Sequence, residues 1–92
     1  VQLLRRIGGE QRQALERAAA LVAESLRRDG VLHLFGTGHS HMLAEEVFYR
    51  AGGLVPVDAM LDAGAVLSGG ALRSTATERR SGSAAEIAAR YD

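Results

Sequence analysis

The residues best placed to do chemistry are gathered in one short string, Gly36-Thr37-Gly38-His39-Ser40-His41, with Glu45, Glu46 and Arg50 close behind. Glycines let a backbone approach an anion closely, and a serine hydroxyl adds a neutral donor. Where a helix opens at such a string, its first amides lack intrahelical partners and its dipole puts partial positive charge there. That combination suits a phosphate group. Two familiar phosphate loops do not fit. The dinucleotide fingerprint needs a third small residue where His41 stands, and the nucleoside-triphosphate loop needs a lysine, of which the chain has none. The string also serves as a plain strand-to-helix turn, in which glycine supplies the conformation and Ser40 caps the helix.

The elements that must position this turn are legible on either side of it. A leading helix occupies residues 1–29, with its main part over 10–28. There Ala14, Leu15, Ala18, Ala19, Val22 and Leu26 recur at three- and four-residue spacing. Gly8-Gly9 leaves the continuity of the first turns open, and Asp29-Gly30 is expected to end the helix with Gly in the left-handed position. Residues 31–35, almost all apolar and bounded by glycine, suit a strand buried on both faces. The strand–loop–helix unit then spans 31–51, its helix running from about Ser40 to Ala51. A second strand follows over 54–58, with Pro56 near a strand end or edge. Residues 61–82 read as loop-rich with room for one short helix, and Ser83-Ala84-Ala85-Glu86 as a capping box opening a last helix from 84. Helix, strand, tight turn, helix, strand is the opening of an α/β domain with a parallel sheet. Two strands do not complete such a sheet, so the chain is expected to be the front of a larger, truncated domain.

Composition narrows the function classes. The 92 residues are 47% hydrophobic and 24% charged, with eleven acidic residues balancing eleven basic ones and no cysteine. A neutral chain argues against a nucleic-acid binder, which is normally clearly basic. Without cysteine there is no disulfide framework, thiolate metal site or thiol nucleophile. His39 and His41, at i and i+2, do not share a helix face, so no metal site is expected from them. No apolar run approaches a membrane span and the start lacks a signal-peptide layout, so a cytoplasmic protein with no membrane partner is expected. Every basic residue is Arg, which reads as a composition bias of the source.

Phe35-Gly36-Thr37-Gly38-His39-Ser40-His41, followed by Ala44-Glu45-Glu46 and Tyr49-Arg50-Ala51-Gly52-Gly53-Leu54, resembles the first half of a sugar isomerase (SIS) domain. The likeness is to bacterial SIS proteins near the phosphoheptose isomerases and N-acetylmuramic acid 6-phosphate etherases. It implies a doubly wound, flavodoxin-like parallel sheet of five strands flanked by helices, a homodimer or homotetramer, and a phosphorylated sugar as ligand, with no cofactor. It also implies that the phosphate is held by the turn, which maps onto Gly36, Thr37, Gly38, His39 and Ser40. SIS domains carry a second Ser/Thr-rich loop after a later strand, and nothing in this chain matches it. Regulators that sense phosphosugars also contain SIS domains.

On that resemblance, the chemistry begins with removal of a proton beside an open-chain carbonyl, which needs a carboxylate or histidine within reach. At 100° per residue, Leu43, Val47, Ala51, Ala44 and Phe48 form the expected buried face of the second helix. Glu45 then projects into solvent, while Glu46 and Arg50 share the border at i and i+4. A border position can reach a pocket, which makes Glu46 the first candidate base, with Glu45 second. The alternative is an ordinary surface pair of Glu46 with Arg50, worth about 0.3–0.5 kcal/mol. His39 is the candidate assisting acid or ligand contact. His41, Arg50 and Asp58 are candidate sugar contacts, although Asp58 and Asp62 also suit turn formation. His33, within a strand, reads as a packed, hydrogen-bonded histidine. Glu78-Arg79-Arg80 reads as a solvated charge run, or as one that reaches a neighbouring subunit.

Overall fold

Gly8-Gly9 does not interrupt the leading helical region. In the computed structural model, which describes residues 1–91, α1 (Gln2–Glu10) runs through both glycines and α2 (Arg12–Arg27) follows. The break falls at Gln11, at φ −99° and ψ 3°. Ion pairs at i,i+4 lie on either side of it, Arg6–Glu10 at 3.0 Å and Arg12–Glu16 at 2.9 Å. Of the expected apolar stripe only Val22 and Leu26 are half-buried, and Leu15 is exposed. The left-handed residue after α2 is Asp29 (φ 59°) rather than Gly30. Asp tolerates that conformation better than most side chains. Val1–Leu32 form one compact unit, and a second begins at His33.

From His33 on, the second unit is built on two short parallel strands, β1 (Leu32–Leu34), whose first residue closes the first unit, and β2 (Val57–Ala59). The Met60 amide donates to the Leu34 carbonyl at 2.8 Å. Both strands are shorter than the apolar runs that announce them. β2 starts directly after Pro56, which has no N–H to give a ladder. Val57 and Ala59 are buried while Asp58 between them is half-buried, the alternation of a strand with two different faces. Helix α3 (His41–Val47) packs against β2 and buries Ala44. Val66, Ala65 and Ile87 complete the core with these residues. This is an α/β architecture.

Several expectations need correction here. The second helix stops at Val47, not Ala51: Phe48 is extended (φ −80°, ψ 138°) and Tyr49 is left-handed (φ 46°). Only Ala44 of the proposed apolar face is buried. Leu43 is 74% exposed, and Val47, Phe48 and Ala51 are also exposed. Without packing on that face, a run of β-branched and aromatic residues has little to hold it helical. The stretch over 61–82, read as loop-rich with one short helix, contains a 3-10 turn (Leu67–Gly69) and one nine-residue helix, α4 (Ala71–Arg79). Its apolar periodicity is absent because α4 is tied by polar side chains. Ser74, its buried residue, donates from Oγ to the Ala65 carbonyl at 3.0 Å. The capping box does not form. Ser83 lies inside α5 (Ser83–Ala88) and its hydroxyl meets the Thr77 and Arg80 carbonyls, each at 2.9 Å. Glu86 is turned to Arg80 instead.

Candidate functional site

Between β1 and α3 the chain doubles back on itself. Thr37 is extended, Gly38 takes φ +51°, and Gly38–Ser40 form a 3-10 turn that hands over to α3 at His41. The two glycines serve different ends. Gly38 supplies a left-handed conformation that a side chain resists. Gly36 supplies space: a Cβ there would stand 2.6 Å from the Ser40 carbonyl oxygen and 2.8 Å from the His41 nitrogen. Two of the turn's amides are already bonded within the protein, Gly38 to the Ala65 carbonyl and Ser40 to the Thr37 carbonyl, both at 3.0 Å. His39 and Ser40 are exposed.

The imidazole of His41 braces this turn. Its side chain is 16% exposed, and Nδ1–H donates to the Gly38 carbonyl. Nε2 then faces Glu45 Oε2 at 3.7 Å. Glu46 forms an ion pair with Arg50, and the two side chains are 66% and 57% exposed. Arg50 also reaches the Glu46 carbonyl at 3.4 Å, from beyond the end of α3. Asp58 does not sit in a loop after the second strand. It lies within β2, where its Oδ2 accepts from His33 Nδ1 at 3.2 Å. Parallel pairing sets these two polar residues side by side across the strands, and Tyr91 meets the His33 ring edge-on at 6.4 Å. A hydrogen-bonded histidine was the sequence expectation; its partner was not.

The residue that sequence reasoning missed is Glu78. Helix α4 packs against the Gly38–Ser40 turn, and Glu78 Oε1 comes within 3.7 Å of where a Gly38 Cβ would be. An open cavity of about 310 Å³ has Phe35, Thr37, Ala65, Thr77, Glu78 and Ser83 in its lining. It therefore joins the end of β1, the turn, and a carboxylate from a segment with no apolar rhythm. No local signal in Glu78-Arg79-Arg80 distinguishes this carboxylate from a solvated one.

Comparison with known proteins decides the family. The model of the SIS domain matches residues 1–92. The chain belongs to the SIS-domain family. It is 46% identical over 92 residues to a UPF0309 protein of Listeria monocytogenes serotype 4b, covering 100% of this chain and 37% of that protein. A UPF0309 protein of Geobacillus sp. (strain WCH70) is 46% identical over 82 residues, 89% of this chain and 33% of the relative. One from Halalkalibacterium halodurans is 51% identical over 71 residues, 77% and 28% of the two chains. The matched parts of the SIS-domain chain thus span only 28–37% of the length of these curated relatives.

Beside the cavity, the SIS-domain chain holds a second polar cluster. Asp62 Oδ1 accepts from the Gly64 and Ala65 amides at 2.9 and 3.2 Å, the turn-forming use, and Oδ2 accepts from Arg90 at 2.5 Å. Burial alone would raise the Asp62 carboxyl. The Arg90 hydrogen bond and charge, with the two amides, outweigh it and hold the pKa below the ordinary value. The Arg80 guanidinium grips Glu86 with two bonds, at 2.9 and 2.5 Å. That pairing lowers the Glu86 pKa and raises that of Arg80. Among the described residues no helix is long and apolar enough to cross a membrane.

Proposed function

We propose that the full-length SIS-domain protein binds a sugar phosphate at the Gly36–Ser40 turn and removes a proton next to the sugar's carbonyl. One observation carries this reading: Thr37 of the turn and the Glu78 carboxylate line the same cavity, in a chain whose family match covers every residue. The phosphate lies against the turn, with the Ser40 hydroxyl and the exposed His39 as donors. Glu78 takes the proton from the carbon beside the carbonyl, leaving an enediolate. Returning that proton to the neighbouring carbon gives an isomerase. Expelling water or an ether oxygen from the β-carbon with the electron pair gives a lyase. Both carboxylates are exposed, and Glu78 is preferred as base because it lines the cavity while Glu46 is paired with Arg50. Glu45, beside His41, helps to orient the imidazole that braces the turn. A cytoplasmic homo-oligomer completes the reading.

The test follows deuterium incorporation by NMR when the full-length protein meets hexosamine 6-phosphates in heavy water. Exchange at the carbon next to the carbonyl is expected. Glu78→Gln should abolish exchange while sparing binding, whereas Glu46→Gln should retain it. Loss of exchange in the Glu46 variant alone would return the base to Glu46. Binding without exchange by the unaltered protein would make it a phosphosugar sensor, and no binding would reject the site.

A further inference from the structure

The structure assigns a second oxyanion-binding site to the cavity lined by Arg73, Arg80 and Arg90. This open cavity, about 430 Å³, lies next to the first one and shares Thr77 and Ile87 with it. The three guanidinium groups come from separate places: the first turn of α4, the segment after α4, and the segment after α5. All three are exposed, yet they come from segments apart in sequence and line one cavity, which a charge run along a single segment does not produce.

The two carboxylates present do not neutralise the cluster. Among the described residues, the ion pairs in the cavity are Arg80–Glu86 and Arg90–Asp62, each at 2.5 Å, and neither includes Arg73. Among the described residues that line it, one positive charge is left over. Gly64, which is buried, supplies the space. A Cβ there would stand 3.0 Å from Asp62 Oδ1, 3.1 Å from Thr77 Oγ1 and 3.8 Å from Arg73 Nε. The missing side chain keeps a polar recess open between the Thr77 hydroxyl and the Arg73 guanidinium. A ligand with two or more oxygens on one centre, such as a phosphate or carboxylate, matches the planar fork of Arg and accepts from Thr77 as well. The anion is either a separate small ion or the second anionic group of a ligand whose phosphate is on the turn. This site goes beyond the phosphosugar reading and does not depend on it.

The experiment titrates the full-length protein with inorganic phosphate, a hexose 6-phosphate and a hexose bisphosphate, followed by NMR of arginine Nε–H and backbone amide signals. Phosphate is expected to shift the Arg73 Nε–H signal, and Arg73→Gln to weaken that binding by about tenfold to hundredfold. Arg73→Lys should recover part of it. If the bisphosphate binds more tightly than the monophosphate, and Arg73→Gln removes the advantage, the anion is part of the same ligand. If phosphate binds with no such advantage, the anion is separate. An Arg73 signal indifferent to all three compounds, or binding unchanged in Arg73→Gln, overturns the inference. Shifts at the Thr37 and His39 amides report the turn independently, so failure there rejects the phosphosugar reading and leaves this site standing.

Discussion

Gly36→Ala is the sharpest test of how the turn is built. The added Cβ would lie 2.6 Å from the carbonyl carbon and oxygen of Ser40 and 2.8 Å from the His41 nitrogen. Ordinary carbon contacts are about 3.5–4.0 Å, so the overlap is close to 1 Å. It falls on backbone that cannot rotate aside. Relief requires Ser40 and the start of α3 to move, at a cost of about 1–3 kcal/mol by the standard of overpacked sites. That corresponds to roughly a five- to 150-fold loss in the folding equilibrium. Gly38→Ala should cost about 1–2 kcal/mol for a different reason, its φ of +51°, because the nearest atom to its Cβ is Glu78 Oε1 at 3.7 Å. Asparagine, which tolerates the left-handed region, should recover part of the loss at position 38 and none at 36. Gly8→Ala, inside α1 with nothing within 4 Å, should instead stabilise by about 0.5–1 kcal/mol. Urea unfolding of the full-length variants, read at constant m-value, measures all five. A Gly36→Ala midpoint equal to the unaltered protein, or equal recovery by asparagine at both positions, would refute the assignment of space to Gly36 and conformation to Gly38.

Two further outcomes follow from the same geometry. Ser74→Ala removes the hydroxyl donated to the Ala65 carbonyl, which also accepts from the Gly38 amide. The expected loss is about 0.5–1.5 kcal/mol, with faster hydrogen exchange at Gly38. Unchanged exchange there would mean that α4 does not hold the turn. Asp62 has a folded pKa below its ordinary value, so its stabilising contribution is fully present above the unfolded pKa of about 3.9. It is lost as pH falls through the lower folded value. A thermal-unfolding series from pH 6 downward should show an acid-side decline that is shallower in Asp62→Asn. Identical slopes would remove Asp62 from the account.

What could be read from the chain alone was local. Gly36-Thr37-Gly38-His39-Ser40 announced a strand-to-helix turn, because the glycines are demanded by geometry within a few residues of themselves. The 3.6-residue rhythm of Ala18, Val22 and Leu26 announced α2, and Val31-Leu32-His33-Leu34-Phe35 announced a strand. The family, too, was legible in the turn and in Tyr49-Arg50-Ala51-Gly52-Gly53. What required tertiary structure was long-range. α4 has no apolar rhythm, since a buried hydroxyl at Ser74 and a carbonyl nine residues away hold it, and periodicity cannot register such a bond. Glu45 and Glu46 looked nearest to the turn because they are nearest in sequence. Glu78, 40 residues beyond Gly38, is the carboxylate that packing carries to it. The pairing of His33 with Asp58 across 25 residues has the same origin: strand register brings the two together, and register belongs to the folded sheet rather than to either segment.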